Sequence, residues 1–234
     1  SSFQLISMRR SPDVAVVTNV APNHLDVHKD MEEYIEAKRN ILRHQNAFSV
    51  TVLNADNVIT ASMAELVRGE LRWFSHTKPV ENGAFLRSDG MLCYSEHGKI
   101  TELFPKEDIK IPGMHNVENY LTAITAVWGE VPLDIIHGIA KSFGGVEHRI
   151  ELVRELDGVK WYNDSIATSP TRTIAGLSCF DKKVILIGGG YDKHIPYEPL
   201  APHLINKVKL LILSGPTAPK IAAALQSNPS YNGE

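Results

Sequence analysis

No apolar stretch in the chain approaches the roughly 20 residues that cross a bilayer as a helix, and no signal-peptide pattern opens it. Cysteine is almost missing. Cys93 and Cys179 stand far apart, form no C-x-x-C pair, and cannot build a four-cysteine zinc ribbon. Such sparse use suits a reducing compartment. Charge of one sign is missing too: a formal net charge of -3 excludes a broad basic surface for nucleic acid or membrane. There is no internal repeat, no low-complexity tract, and no G-x-x-x-x-G-K-[ST] loop to cradle phosphates. What remains is ordinary for a globular chain: 234 residues, 43% apolar and 22% charged, enough for one or two domains with a sizeable core.

Periodicity organises the rest. VAVVTNV (14–20), SVTVLN (49–54) and LRWFS (71–75) read as strands, the first two as buried β-branched runs. Residues 31–45 predict a helix, with Tyr34, Ala37, Lys38, Ile41 and Leu42 at helical spacing, and 57–68 predict another. Residues 84–103 carry turn signals at Asp89-Gly90 and His97-Gly98 and predict an antiparallel meander. A strong helix covers 115–129, with Val117, Tyr120, Leu121, Ile124, Val127 and Trp128 on one stripe, and a further one covers 133–142. The glycines of FGGVEHR (143–149) mark a domain junction, giving domains 1–145 and 146–234. Beyond it come a hairpin turning at Asp157-Gly158, the loop of YNDSIATSP (162–170), a helix over 171–180, a strand running into a glycine turn over 182–193, and a buried strand over 208–215, with a last helix over 216–226. Strands alternating with helices predict an α/β fold with a parallel sheet.

Polar residues gather where such a sheet puts its ligands, beyond the carboxyl ends of strands. His24, Asp26 and His28 are spaced by two; imidazole and carboxylate oxygens bind divalent ions or orient phosphates, and the spacing fits a plain surface loop as well. Lys38 lies on the apolar side of its helix. It either snorkels to solvent or sits near a metal or phosphate, where a depressed pKa would allow carbamylation by CO2. Asn116 and Asn119 share a helix face. One reading makes Asn116 or His115 the N-cap, the other makes the amides ligand contacts. Asp164 caps a turn or takes hydrogen bonds from a ligand. His148 and Arg149 sit at the junction, Arg being suited to bidentate phosphate contacts or a salt bridge. In GGGYDK, glycines permit close approach of the backbone. Asp192 and Lys193 follow at a strand end, as a surface ion pair or a substrate contact.

In order and at these separations, the motifs resemble the Mur ligase family of peptidoglycan synthesis. TNVAPNHLDVH followed by YIEAK is similar to its T-N-x-x-x-D-H-L-D-x-H … Y-x-x-A-K, and GMHNVENYLTAITA to its G-x-H-N-x-x-N-x-x-A-A helix. EHRIELVRELDGVKWYNDSIATSP and GGGYDK resemble H-R-x-E … N-D-S-K-A-T-N-P and G-G-x-D-K of the D-glutamate-adding members. The resemblance implies the remainder of a P-loop-type Mur ligase central domain plus a Rossmann-like C-terminal domain. The implied reaction joins D-glutamate to UDP-N-acetylmuramoyl-L-alanine, with ATP and Mg2+, through an acyl phosphate, in the cytoplasm and as a monomer. By the same resemblance His24 is a magnesium ligand and Lys38 becomes the carbamate that supports the metal. Asn116, Asn119, Arg149 and Asp164 contact ATP, Lys193 with Asp192 meets D-glutamate, and His148 stands near the reacting centre.

Three positions depart from the pattern: Ile166 replaces the usual lysine, Ser169 an asparagine, and Asn23 the aspartate before His24. Two alternatives stay open: a related ligase for another amino acid, and a non-catalytic scaffold subunit of similar fold, whose known examples carry the zinc ribbon excluded above. The family places its phosphate loop N-terminal to Ser1, so the chain is expected to be a fragment without turnover of its own. D-glutamate-dependent release of ADP by these 234 residues alone would refute that.

Overall fold

The computed structural model describes residues 2–21, 28–193 and 195–233. They form two compact units: the residues up to Lys110 with Asn116–Phe143, and Ile111–His115 with the residues from Gly144 onward.

The first unit contains α1 (Ser2–Ile6), β1 (Val14–Val17), α2 (Met31–Arg43), β2 (Val50–Asn54), α3 (Val58–Ser62), β3 (Glu70–Ser75), β4 (Gly83–Leu86), β5 (Met91–Glu96), β6 (Lys99–Pro105), α4 (Met114–Val127) from Asn116 onward, and α5 (Leu133–Ser142). The strands make one sheet in the order β1-β2-β3-β4-β5-β6. β1 to β4 run parallel, and β4 to β6 antiparallel. Parallel strands are covered on both faces and read as continuous apolar runs; β2 accordingly buries Thr51, Val52, Leu53 and Asn54 in succession. On one side Ala15, Val17 and Leu53 pack with Tyr34 and Leu42 of α2 and with Met63. Elsewhere Arg72 of β3 donates to the carbonyls of Thr125 and Trp128, and Tyr94 of β5 stacks on Trp128 at 3.8 Å. Asp30 caps α2, its carboxylate accepting from the Glu33 N–H, and Glu32 and Glu33 add charge favourable to the helix dipole.

The expected helix over 57–68 is shorter and tighter: α3 gives way to a 3-10 turn at Met63–Leu66. The strand expected over 14–20 ends at Val17. The meander is present, but its first strand also lies parallel to β3, over only three residue pairs from Trp73↔Gly83 to Ser75↔Phe85. Parallel neighbours are ordinarily joined through a helical crossover of a dozen or more residues; here residues 76–82 make the link. Gly83 makes it possible. Its φ is +133°, and a Cβ there would lie 1.8 Å from the Trp73 carbonyl oxygen.

The second unit holds β7 (Glu151–Leu156), β8 (Val159–Asn163), α6 (Pro170–Ser178), β9 (Val184–Gly189), α7 (Ala201–Lys207), β10 (Val208–Ser214) and α8 (Ala218–Gln226). β7 and β8 form the expected hairpin, with Asp157 (φ 51°) and Gly158 (φ 76°) both left-handed as a two-residue turn between twisted strands requires. β9 and β10 pair in parallel. Leu177, Leu200, Leu204 and Ile221 cover one face with Leu186, Leu211 and Leu213, while Ile185, Ile187, Leu210 and Ile212 are exposed on the alternate positions. Helix α7 had no sequence signal; it spans only seven residues.

Gly83→Ala should destabilise the chain by at least about 2 kcal/mol, since it adds both a forbidden φ and a backbone collision. Chemical denaturation followed by tryptophan fluorescence measures it.

Candidate functional site

In the second unit the loop from β8 to α6 collects the polar groups. Asn163 starts it with an Asx turn, its side-chain oxygen accepting from the Ser165 N–H at 3.1 Å. Ser169 and Pro170 end it as N-cap and first helical residue of α6. Asp164 therefore does not cap the helix. Its Oδ1 accepts the Ile150 N–H at 3.2 Å. That bond fastens a strained turn: His148 (φ 65°) and Ile150 (φ 46°) are both left-handed, and Ile150 is β-branched. Three further contacts hold the turn. The Ile166 N–H donates to the His148 carbonyl, the His148 N–H to Glu151, and the Ile150 side chain is buried. The Asn163 amide lies 2.8 Å from His148 Nδ1. With the amide donating, the imidazole proton sits on Nε2.

Arg149 stands between the two left-handed residues, exposed. Burial raises the Asp164 carboxyl above its ordinary value, against the pull of the Ile150 N–H, Arg149, His115 and Arg172. Burial, then Arg149, pushes the His115 imidazole down. Cys179 lies 4.0 Å from His115 Nδ1, with its thiol raised by burial and by Asp164, so it is a packed group and no ready nucleophile. The contact of His115 with Cys179 carried no signal in the sequence, because the two are 64 residues apart.

Asp192 and Lys193 part company. Asp192 forms an ion pair with Lys220 of α8. Lys193 instead donates to Thr168 Oγ1 at 2.9 Å, on the β8–α6 loop. The glycines before them serve packing first: a Cβ on Gly189 (φ +122°) would lie 1.8 Å from the Ser214 carbonyl oxygen of β10.

In the first unit His24 and Asp26 lie outside the described residues. His28, expected in the same loop as a possible ligand, turns inward. It is 4% exposed, its Nε2 lies 2.9 Å from Ser2 Oγ, and its ring stacks on Phe3 and meets the edge of Tyr34. Among the described residues no group of three His, Cys, Asp or Glu could hold a metal ion. Lys38 is half-buried with its ammonium 5.4 Å from the Tyr34 ring centroid. Burial pushes its pKa below the ordinary lysine value, which enlarges the neutral amine fraction that reacts with CO2.

Asn116 is not an N-cap, and neither is His115: α4 begins at Met114, so both lie in its first turn. Asn116 is 7% exposed and accepts from the Asn119 amide at 3.2 Å. Beside them lies a cluster that sequence spacing could not show. His76 Nδ1, at the end of β3, stands 3.0 Å from Asp56 Oδ2 and 3.2 Å from Glu118 Oε1 of α4. Burial would raise the Asp56 carboxyl, but hydrogen bonds from Thr77, Ser75 and the His76 N–H bring it below its ordinary value. Glu118 is raised by burial, against the opposing pull of His76.

The profile of the Mur ligase middle domain matches residues 3–127. The chain is 56% identical over 234 residues to the UDP-N-acetylmuramoylalanine–D-glutamate ligase of Acetivibrio thermocellus, covering all of this chain and 50% of that protein. It is 53% identical over 221 residues to the ligase of the same name from Clostridium acetobutylicum, covering 94% and 47%. The chain thus spans about half the length of the curated relatives it matches. Among solved structures it is similar in fold to MurF from Acinetobacter baumannii (TM-score 0.71, 16% identity, 92% of this chain and 49% of that one). It is also similar to the UDP-N-acetylmuramate-alanine ligase MurC from Thermotoga maritima (TM-score 0.68, 19% identity, 93% and 49%).

A carboxyl whose folded pKa is raised contributes stability that is present below its unfolded pKa and lost as pH rises through the folded one. Asp164→Asn keeps an oxygen for the Ile150 N–H and removes the half-buried charge. The variant should melt above the parent at pH 7, and the gap should close as pH falls through the carboxylate range. Thermal melts at several pH values check this.

Proposed function

The chain belongs to the Mur ligase family, and we propose that it is part of a ligase that joins D-glutamate to UDP-N-acetylmuramoyl-L-alanine. The observation that supports this most is the β8–α6 loop, which gathers Asp164, the turn presenting Arg149, and Lys193 in one unit. It does so in a chain 56% identical to a relative bearing that name. ATP passes its γ-phosphoryl group to the substrate carboxylate, ADP leaves, the D-glutamate amine attacks the acyl phosphate, and inorganic phosphate departs as the amide forms. Such chemistry depends on positioning and charge neutralisation.

Each residue has a stated part in this reading. Lys193 pairs with a D-glutamate carboxylate, with Asp192 held beside it on Lys220. Arg149 and Asp164 contact the nucleotide, Arg149 at its phosphates. Asn116 and Asn119 contribute amide contacts to it. His148 holds the Arg149 turn and stands near the reacting group. The neutral amine of Lys38 adds to CO2, losing a proton and becoming a carbamate. Its two oxygens are the hard donors Mg2+ prefers, and His24 would add a ring nitrogen. When bound, Mg2+ neutralises phosphate charge as the phosphoryl group moves. Residues 1–145 and 146–234 correspond to central and C-terminal domains of the family. The place of action is the cytoplasm, as a monomer; no described helix is long and apolar enough to cross a membrane.

The complete gene product should release ADP only when D-glutamate joins the nucleotide substrate. Turnover with another amino acid instead would assign a different ligase, and no turnover with any would defeat the reading. Lys38→Ala should lower turnover by about 100-fold or more, restored in part by a small added carboxylate standing in for the carbamate.

A further inference from the structure

Arg172 breaks a local rule. It is the third residue of α6, after Pro170 and Thr171. Cations in a first helical turn oppose the helix dipole. Among the described residues no carboxylate lies within ion-pair distance of it, and only the longer-range field of Asp164 offsets this in part. Its Nη1 donates instead to the Ile166 carbonyl at 3.2 Å. That bond uses one of the five donors of the guanidinium, and the residue is exposed. Two residues along the same loop, Thr168 receives the Lys193 ammonium at 2.9 Å, and Lys193 too has no ion pair among the described residues. The Ile166–Thr168 turn thus carries a cation on each side, each resting on a neutral oxygen. Local rules broken with so little compensation mark functional positions. Two such cations on one turn describe a place for an oxyanion.

We infer that Arg172 binds an oxyanion of a substrate at the Ile166–Thr168 turn, as a partner to Lys193 and a determinant of affinity for the acidic reactant. The inference rests on the ligase reading above. A guanidinium takes a carboxylate or a phosphate through the same paired N–H donors, so two sources qualify: a carboxylate of the amino acid, or a phosphate oxygen of the nucleotide or acyl phosphate. Arg172 also accounts for Ile166, where the family pattern has lysine: the cation reaches the turn from α6 instead of from within the loop.

The test uses the complete gene product, with kcat and KM measured for each reactant and the melting temperature as a fold control. Arg172→Ala should lower kcat/KM by about 10- to 100-fold, the range for a hydrogen bond to a charged group, with the melting temperature little changed. A loss carried by the KM for D-glutamate assigns the carboxylate; a loss in the KM for ATP or in kcat assigns the phosphate. Arg172→Lys should retain most activity, and Ile166→Lys should restore activity to the Arg172→Ala protein by returning a cation to the turn. Unchanged kinetics in Arg172→Ala would overturn the inference and leave the ligase reading standing. So would a loss that follows the melting temperature and that neither lysine variant relieves. A parent protein with no amino-acid-dependent turnover would overturn both.

Discussion

Strands apolar on both faces leave polar chemistry one outlet, the loops at their ends. β2 buries four residues in succession, so nothing reactive can project from its middle. What the first unit offers appears where strands stop. Asn54, the last residue of β2, donates to the Thr18 carbonyl just past β1. Asp56 follows it and gathers Ser75 and the His76 N–H at the end of β3. The second unit, whose strands are largely exposed, also sets polar groups at strand ends. Asp164 follows β8, Lys193 follows β9, and Gly189 brings the end of β9 against the end of β10.

Within the second unit, one carboxylate organises its surroundings through geometry that opposes its own comfort. Asp164 is buried enough that its charge is disfavoured, yet it holds the Ile150 N–H of a left-handed turn. The turn in turn exposes Arg149. Strain of this kind persists only where the surroundings over-determine it, and here they do. The turn is tied at Asp164, at Glu151 and at Ile166.

The sequence made local features legible and left long-range ones hidden. The stripe of α4 was readable because 3.6-residue periodicity puts Val117, Tyr120, Leu121 and Ile124 inward, and these are buried, while Val127 and Trp128 at its end are half-buried and Trp128 lies past the helix. The hairpin at Asp157-Gly158 was readable because that pair suits two left-handed residues. Direction within a loop was not: His28 looks like a ligand by spacing and is a core ring beside Phe3. The glycines of β9 suggested a ligand and first admit the Ser214 carbonyl. The Asp56–His76–Glu118 cluster joins three elements whose order in the chain says nothing of their contact. Nor could spacing show that Arg172 reaches the Ile166 carbonyl, since a helix start fixes the backbone and leaves a long side chain its choice.

The short link between β3 and β4 has a consequence for motion. β4, β5 and β6 are joined to one another by longer antiparallel ladders, the second with a bulge between Leu92 and Cys93, but β4 meets β3 over only three residue pairs, from Trp73↔Gly83 to Ser75↔Phe85. Cooperative opening follows such lines of weak attachment. The six strands make one hydrogen-bonded sheet, and its shortest ladder is the seam beside Trp73. Amide protons along that seam should trade with solvent sooner than those inside either half, so the native protein would breathe at a joint that its continuous sheet conceals.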